Sequence, residues 1–278
     1  MYPFWKITPG GNPTILLLAE NIPQSRRASV ANAVMNEQHL CAEQVGYIRF
    51  DKKPRLDMMG GEFCLNATRA FAALLAEKKL LSPCGKNSFC GNIEVSGVQE
   101  DVYVHVVMGE RKLPFAEACL HFSSLPVPEI FPEGRILIHV PGISHILENG
   151  SFPAPANIAA YCEKERLLCA VSHQEAVGHL WLGKSTIDGE IEEAELTPVV
   201  WVRDTNTLCR ESACGSGTLA AALTLHSRNG RTVFRIQQPS GNILHVRMEK
   251  QRAGWDIWVG GPVRMTARGE TDLTGILL

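Results

Sequence analysis

The residues best suited to chemistry are two cysteines, Cys64 and Cys214, which occur in similar surroundings 150 residues apart. Each follows closely on a glutamate and precedes an Ala- and Leu-rich stretch typical of a helix, 66–79 in one case and 217–226 in the other. A thiolate is a base and a thiol is an acid, so two thiols facing one carbon could remove a proton from one side and return one to the other. The spacing therefore predicts proton transfer at a carbon held between the two sulfur atoms.

The predicted position of both cysteines at helix N-termini favours the thiolate. Unpaired backbone N–H groups and the helix macrodipole stabilise negative charge there. The same N–H groups could hold a substrate carboxylate, and the small residues Gly215, Ser216 and Gly217 leave the backbone open after Cys214. At the other helix we expect Leu65 to offer its backbone N–H while its side chain points away.

The other cysteines of the chain, which has 9 in all, are expected to be small buried hydrophobes. The chain contains no C-x-x-C pair, so we predict no metal site, and the two-thiol scheme needs no cofactor. These remaining cysteines are Cys41, Cys84, Cys90, Cys119, Cys162, Cys169 and Cys209.

The composition favours a small-molecule ligand. The 27 basic and 29 acidic side chains give a formal net charge of -2, which provides no basic footprint for nucleic acid or an anionic membrane surface. The N-terminus has no basic region followed by a long apolar run, so we expect a cytoplasmic protein that does not enter a membrane. A homodimer is possible on these data.

Most of the chain is predicted to form short strands, because runs rich in Val, Ile and aromatic residues are broken by Gly, Pro and Asn. A weaker third helix is predicted over 26–38. The expected fold class is therefore α/β in the α+β sense, with high sheet content. The predicted strands are 15–18, 47–50, 102–107, 136–140, 199–202, 233–237, 243–248 and 257–259.

The two halves of the chain resemble each other. Gly-Asn-Ile-Glu-Val at 91–95 is similar to Gly-Asn-Ile-Leu-His-Val at 241–246, at the same 150-residue offset as the cysteines. We therefore predict two domains, 1–125 with Cys64 and 126–278 with Cys214, and the last strand could return to the first half. One cysteine from each half predicts a shared site in the cleft between them.

With these motifs the chain resembles the diaminopimelate epimerase superfamily of racemases and epimerases that work without pyridoxal phosphate, and the resemblance spans nearly the whole chain. It implies two pseudo-symmetric domains, each a barrel-like, mainly antiparallel sheet around a central helix. It also implies that the cysteines are the acid/base pair, that Asn12, Asn66 and Glu211 help bind an amino acid, and that 215–217 cradles its carboxylate. The motifs are Lys6-x-x-x-Gly-Gly-Asn12, Glu62-x-Cys64-x-Asn66-Ala-x-Arg69, Gly142-x-x-His145, Ala213-Cys214-Gly-Ser-Gly217, Pro239-Ser-Gly241 and Gly261-Pro262.

Departures from the epimerase pattern argue against a substrate with two charged ends. The Glu-Arg dipeptide expected before the second cysteine reads Asp204-Thr205, Ile143 replaces an asparagine, and Trp201 stands in the nearest strand. A pocket without that cation would not stabilise a distal carboxylate. The pattern is instead similar to that of the histidine racemases of opine-metallophore synthesis, and a diaminopimelate epimerase remains the alternative. The phenazine-biosynthesis isomerase branch, which Asn12-Pro-Thr resembles, does not use a cysteine pair.

Two other classes remain to be considered. The segment 178–185 matches the phosphate-loop pattern G-x-x-x-x-G-K-S, but bulky apolar residues fill it and no helix is predicted after it. A non-catalytic amino-acid-binding or redox-sensing module would use the same cysteines without turnover. We further expect His139 and His145 to be structural, and Arg69 to be a surface or ion-paired residue on the first helix.

Overall fold

The protein, represented by a computed structural model, has an α+β fold made mostly of strands. The structure describes residues 1–109, 113–152, 176–203 and 206–276. Within these ranges the chain forms 19 strands, and every predicted strand is among them. They are β1 (Tyr2–Thr8), β2 (Thr14–Leu18), β3 (Gln44–Arg49), β4 (Arg55–Met58), β5 (Ser82–Gly85), β6 (Ser88–Val95), β7 (Val102–Val107), β8 (Phe115–Phe122), β9 (Glu129–Ile130), β10 (Ile136–Val140), β11 (Ile143–Asn149), β12 (Ala176–Leu182), β13 (Thr186–Asp188), β14 (Ile191–Val202), β15 (Thr207–Arg210), β16 (Val233–Gln237), β17 (Ile243–Gln251), β18 (Gly254–Pro262) and β19 (Arg264–Thr271).

The predicted helices are also present, with shifted ends. They are α1 (Arg27–Met35), α2 (Leu65–Glu77) and α3 (Gly215–Asn229), and two short 3-10 turns precede α1. Both α2 and α3 begin directly after a cysteine, one or two residues earlier than the sequence indicates, because that cysteine is the N-cap. Helix α3 ends at Gly230, whose φ of 74° is the left-handed conformation that commonly closes a helix.

The strands pair in the same order twice. In the first series β1–β2 is antiparallel, β2–β3 parallel, β3–β4 antiparallel, β4–β6 parallel, and β6–β7–β8 antiparallel. In the second series β10–β11, β11–β12, β12–β14, β14–β16 and β16–β17–β18 pair with the same directions. Helix α2 lies between β4 and β6, and α3 lies between β14 and β16.

The two series of strands are joined in two places. Antiparallel pairing of β8 with β18 makes one continuous sheet, and the C-terminal β19 pairs with β1. Strands of one series therefore pair with strands of the other, although they are far apart in sequence. As a result α2 and α3, the helices that follow the two cysteines, contact each other.

Both helices are the centres of the hydrophobic core. Every residue of α2 from Leu65 to Ala76 is buried, and so is α3 from Gly215 to Leu225. Helices that are apolar on all sides are found inside a protein. Small alanine side chains allow strands to pack on every face, so the helix N-termini are fixed inside the molecule and not at its surface.

One buried residue of α2 corrects a sequence expectation. Arg69 is fully buried and not on the surface. Its guanidinium donates to the backbone oxygens of Ala116 and Pro9 at 2.9 and 3.3 Å and to Oδ1 of Asn66 at 3.0 Å. Burial lowers the pKa of Arg69 to about 10. The arginine therefore ties the start of α2 to two other segments of backbone.

The phosphate-loop pattern does not form a phosphate loop. Its first five residues, 178–182, lie in β12, which is buried along its length between β11 and β14. A phosphate loop requires backbone N–H groups that are free of strand pairing. The structure thus excludes the nucleotide-binding interpretation of this segment.

We predict that Gly178→Ala destabilises the protein. A Cβ at this position would lie 2.1 Å from Nδ1 of His145, which is buried and cannot move away. Overpacking of this kind costs about 1–3 kcal/mol, so urea denaturation should show a lower free energy of unfolding. Gly189→Ala is not a suitable control, because φ at Gly189 is positive. Ala194→Gly, which changes a single methyl group in the neighbouring strand β14, is the better comparison. An unchanged midpoint for Gly178→Ala would contradict this packing.

The cysteines outside the predicted pair vary in exposure. Cys41 and Cys84 are exposed, which corrects the expectation of buried hydrophobes, and Cys90, Cys119 and Cys209 are partly buried. Cys162 and Cys169 lie outside the described residues. No helix in the described part of the chain has the length and apolar character needed to cross a membrane.

Candidate active site

A small cavity lies where the N-termini of α2 and α3 meet. Its volume is about 40 Å³, and both Cys64 and Cys214 line it. Its polar wall is formed by Asn12, Glu43, Gln44, Glu62, Asn66, Thr207, Glu211 and Ser216. Its apolar wall includes Met59, Phe63, Ile143, Ala176, Val200 and Val202.

The two cysteines have nearly identical local geometry. The φ and ψ angles are -129° and 107° at Cys64 and -131° and 111° at Cys214. The Sγ of Cys64 accepts from the N–H of Ala67 at 3.4 Å, and that of Cys214 accepts from Gly217 at 3.3 Å. The backbone oxygen of each cysteine also accepts a threonine hydroxyl four residues on, at 2.7 Å. The chain therefore builds the same thiol-capped helix start twice.

Close contact between the helix starts brings the two caps to one cavity. The Nδ2 of Asn66 donates to the backbone oxygen of Ala213 at 3.0 Å, across the junction between the helices. Gly215 is required there, because a Cβ would lie 2.8 Å from Cβ of Leu65 and 2.9 Å from Oδ1 of Asn66. Asn66 thus lies between the two helix N-termini and also accepts from Arg69.

The surroundings of the two thiols do not favour the thiolate, in contrast to the sequence expectation. Burial, together with Glu211 and Glu62, raises the pKa of Cys64 to about 12. Burial and Glu211 also raise the pKa of Cys214 well above its ordinary value. The N–H groups of the helix starts lower both pKa values as predicted, but burial and the nearby carboxylates outweigh them.

Glu211 and Asn12 present two unused acceptors to this cavity. Burial raises the pKa of Glu211 to about 8, while hydrogen bonds from the Cys214 thiol and the Asn12 side chain lower it. The other oxygen of Glu211, Oε2, and Oδ1 of Asn12 are buried with no hydrogen-bond partner. Buried acceptors are nearly always satisfied, so these two atoms indicate a place for a donor group.

Asn12 is held in place by its backbone. It adopts a left-handed φ of 53° after two glycines, and its N–H donates to Oγ of Ser212 at 2.6 Å. Ser212 in turn donates its own N–H to Oε2 of Glu43 at 3.0 Å. The loop after β1 and the segment before Cys214 are therefore held together, although they are far apart in sequence.

Three further polar residues were missed by the sequence analysis. Oε1 of Gln44 accepts a hydrogen bond from the Cys64 thiol at 3.1 Å, and Oε2 of Glu62 accepts one from the N–H of Gly60 at 2.9 Å. Burial raises the pKa of Glu43. Glu43 and Gln44 are contributed by the start of β3, where nothing in the local sequence indicates a site; Glu62 could have been found from its position two residues before Cys64.

The apolar wall corrects one predicted contact. Val200 and Val202 of β14 line the cavity, whereas Trp201 between them does not. Successive side chains of a strand point to opposite faces, so Trp201 packs instead against Val177. Ile143 lines the cavity as its position in the motif suggests. Leu65 and Gly217 lie at the helix starts without lining the cavity, and the Asp204-Thr205 dipeptide lies outside the described residues.

A buried chain of polar groups runs behind Cys214. His145 Nε2 lies 3.1 Å from Oγ of Ser216, which lies 3.5 Å from Sγ of Cys214. Burial lowers the pKa of His145 to about 3, so the ring is neutral at physiological pH. Ser216 lowers the pKa of Cys214. His145 therefore positions a hydroxyl beside the thiol, and this role goes beyond packing. His139, in contrast, is hydrogen-bonded to the Ser144 hydroxyl in the neighbouring strand.

The site has no arrangement typical of a metal centre. Within the part of the chain that the structure describes, there is no group of three or more His, Cys, Asp or Glu side chains arranged to hold a metal ion. The cavity combines the two cap thiols of Cys64 and Cys214, a third thiol from Cys209 of β15, three carboxylates and two helix N-termini. Such a set can bind a group that carries both a cation and an anion and can move a proton at the atom between the sulfurs.

Known proteins are similar to this chain over nearly its whole length. The chain is 29% identical over 269 residues to a histidine racemase of Fusobacterium nucleatum, covering 96% of this chain and 95% of that protein. It is 26% identical to a histidine racemase of Staphylococcus aureus, with 96% of each chain covered.

Solved structures with very different sequences share the fold. A probable proline racemase from Agrobacterium radiobacter K84 superposes with a TM-score of 0.65 at 13% identity, covering 99% of this chain and 94% of that one. A phenazine-biosynthesis protein of the PhzF family from Bacillus anthracis has a TM-score of 0.61 at 10% identity, with 98% of each chain covered.

The family model described as "Histidine racemase CntK N-terminal domain" matches residues 2–130 and 190–271, segments from both series of strands that include both cysteines. The match covers more than half of the chain and agrees with the full-length relatives. This protein is therefore an isomerase of the amino-acid racemase/epimerase class and belongs to the histidine racemase family.

Proposed function

We propose that this protein racemises histidine without a cofactor, with Cys64 and Cys214 as the two acid/base groups. The single observation that carries the proposal is that both thiols cap adjoining helices and line one cavity. In one direction one cysteine, as thiolate, accepts the Cα proton and the other, as thiol, donates its proton to the opposite face. The reverse reaction exchanges their roles, so the protons balance in each direction.

The helix N-termini support binding of the α-carboxylate. The first N–H groups of a helix have no partner within it, and Gly215 and Ser216 place them at the cavity. Loss of the Cα proton spreads negative charge onto the carboxylate. The N–H groups and the helix dipole would therefore stabilise the transition state more than the ground state.

The unused acceptors support binding of the α-ammonium. Oε2 of Glu211 and Oδ1 of Asn12 are buried, lack donors, and belong to residues lining the same cavity. An ammonium group supplies three donors and a positive charge. That charge would lower the pKa of both thiols, which the carboxylates raise in the empty site, so binding of an amino acid would itself promote thiolate formation.

The remaining wall favours an uncharged or weakly basic side chain. Ile143, Val200 and Val202 are apolar, and the described lining contains no arginine or lysine that could pair with a distal carboxylate. This supports histidine over diaminopimelate, in agreement with the names of the relatives.

The substrate assignment is tested by incubating the protein in deuterated water with single L-amino acids. L-Histidine is expected to exchange its Cα proton and form the D-enantiomer, whereas meso- and LL-diaminopimelate should remain unchanged. NMR of the Cα signal and chiral chromatography report the two events separately. Turnover of diaminopimelate at a higher kcat/KM than histidine would contradict the assignment.

The two series of strands are proposed to be two pseudo-symmetric domains of the diaminopimelate epimerase type, 1–125 and 126–278, with β19 added to the first. The repeated order of strand pairing and the matching cysteine caps support this division. A cytoplasmic location, a homodimer and a role in metallophore synthesis stay predictions.

A further inference from the structure

A second cavity, of about 510 Å³, shares a wall with the candidate active site. It is lined by three arginines, Arg27, Arg49 and Arg55, and by one carboxylate, Asp57. We call it the arginine cavity. Its volume lies in the range of about 300–1,000 Å³ that is usual for small-molecule sites.

The guanidinium groups share one carboxylate inside the arginine cavity. All three converge on Asp57, at 3.3 Å from Arg27, 3.7 Å from Arg49 and 2.7 Å from Arg55. Asp51 and Glu94, which do not line the cavity, also pair with Arg49 and Arg55 and offset part of their charge. Three guanidinium groups and a single carboxylate therefore line the cavity itself.

Two of the arginines have unused donors. The Nε atoms of Arg27 and Arg49 are buried without a hydrogen-bond acceptor among the described residues. Arg27 is otherwise fixed, because its guanidinium lies 5.0 Å from the ring centroid of Tyr47. A ligand with several anionic oxygens would satisfy these donors.

The segment between β4 and α2 separates the arginine cavity from the cysteines. Met58 and Gly61 line the arginine cavity, whereas Met59, Glu62 and Phe63 line the active-site cavity. One hydroxyl fastens this segment, since Oγ of Ser96 accepts the N–H of Met58 and donates to the backbone oxygen of Glu62, each at 2.8 Å. Ser96 itself lines the arginine cavity.

We propose that the arginine cavity binds a phosphate group, as inorganic phosphate or as the monoester of a small metabolite, and that binding orders residues 58–63 beside Cys64. Arginine donates in a planar fork that matches phosphate geometry, and phosphate oxygens would accept from the guanidinium donors that the carboxylates leave unused. The binding site stands independently of the proposed reaction. Only an effect on turnover would rest on the proposed function.

Isothermal titration calorimetry with inorganic phosphate, at ionic strength matched with sodium chloride, tests the binding. Arg49→Gln is expected to weaken phosphate binding by at least about tenfold, since a charge-assisted hydrogen bond is lost. Arg49 is partly exposed, so this variant should fold. Asp57→Asn is expected to strengthen binding because it removes the anion that pairs with all three arginines.

Lys53→Gln is the matched control. It removes one positive charge from the same surface, but Lys53 pairs with Glu94 and Asp101 and does not line the cavity. Its affinity for phosphate should stay within about twofold of the unmodified protein, as expected for a screened charge outside the site. An equal loss of phosphate affinity in Lys53→Gln and Arg49→Gln would mean that only the surface charge matters, and it would overturn the proposal.

Hydrogen–deuterium exchange provides a second readout that does not depend on activity. Phosphate should slow exchange in peptides covering 58–63 in the unmodified protein and not in Arg49→Gln. Succinate, a dianion of different shape, separates phosphate from carboxylate ligands. No detectable phosphate binding, tighter binding of succinate than of phosphate, or unchanged exchange in this segment would each overturn the proposal.

Discussion

Cys64→Ala and Cys214→Ala are each expected to lower histidine racemisation by at least about a thousandfold while the protein stays folded. The expected size follows from general acid–base catalysis, which typically contributes about 10²–10⁴ per group. Loss of one small side chain should cost only about 1 kcal/mol of stability. Chiral chromatography measures the activity, and thermal unfolding checks the fold.

Cys119→Ala is the matched control for both variants. Burial raises the pKa of Cys119 to about 12, as it does for Cys64, but Cys119 lies in β8 and does not line the active-site cavity. This variant should keep the activity of the unmodified enzyme. Cys64→Ser and Cys214→Ser should be inactive as well, because a hydroxyl is a far weaker acid than a thiol. Full turnover in both single alanine variants would falsify the two-base mechanism.

Glu211→Gln should lower kcat/KM for histidine by about a hundredfold or more and should also stabilise the folded protein. The loss of activity is expected because the ammonium loses its charged partner inside the cavity. The gain in stability follows from linkage: the pKa of Glu211 is raised from 4.5 to about 8 in the folded state. Between those pH values the folded protein binds more protons than the unfolded chain, so the free energy of unfolding falls as pH rises.

The stabilising effect of Glu211→Gln should therefore grow between pH 5 and 8, on the order of 1 kcal/mol per pH unit, and level off above pH 8. Urea denaturation at several pH values measures this change in the free energy of unfolding.

The thiols provide a third readout, since Glu211 raises the pKa of both Cys64 and Cys214. Alkylation by iodoacetamide at pH 9 should be faster in the variant. Slower alkylation, or a loss of stability at pH 8, would contradict this electrostatic account.

Glu192→Gln controls for removal of a carboxylate elsewhere. Glu192 is also buried, but its Oε2 already accepts from Nδ2 of Asn229 at 2.8 Å, and it does not line the active-site cavity. Histidine turnover should be unchanged in this variant. The free energy of unfolding of this variant should still fall between pH 5 and 8, as in the unmodified protein, because the Glu211 carboxyl is in place.

The features of the fold that depend on local sequence could be predicted. Ala- and Leu-rich runs identify α2 and α3, and the cysteine before each run is the N-cap. Both cysteines could be selected because their surroundings repeat at one offset. Pairing of β19 with β1 and of β8 with β18 is long-range and has no local signal beyond alternating hydrophobicity.

The residues that the sequence analysis missed are those whose role depends on distant partners. Arg69 was expected at the surface because arginine usually is, yet backbone acceptors on two separate segments, together with Asn66 of its own helix, keep it inside. Glu43 and Gln44 join the site only because β3 begins beside it. Trp201 was placed in the pocket from its motif position, although strand alternation directs its two neighbours there instead.

The net shift of the two thiol pKa values could not be predicted from the helix N-termini alone. Helix N-termini lower the pKa of Cys64 and Cys214, and this part of the prediction was correct. The opposing contribution comes from burial and from Glu211, whose side chain also faces the first cysteine. Only the folded arrangement shows that these effects exceed the helix contribution in the empty site.

The isotopic content of the product is the most direct test of two thiols acting on opposite faces of one carbon. L-Histidine racemised in deuterated water should give D-histidine that carries deuterium at Cα from the first turnover, while the recovered L-histidine still carries protium. A single base acting on both faces would return part of the original proton. D-histidine that retains substrate protium at early times would contradict the account.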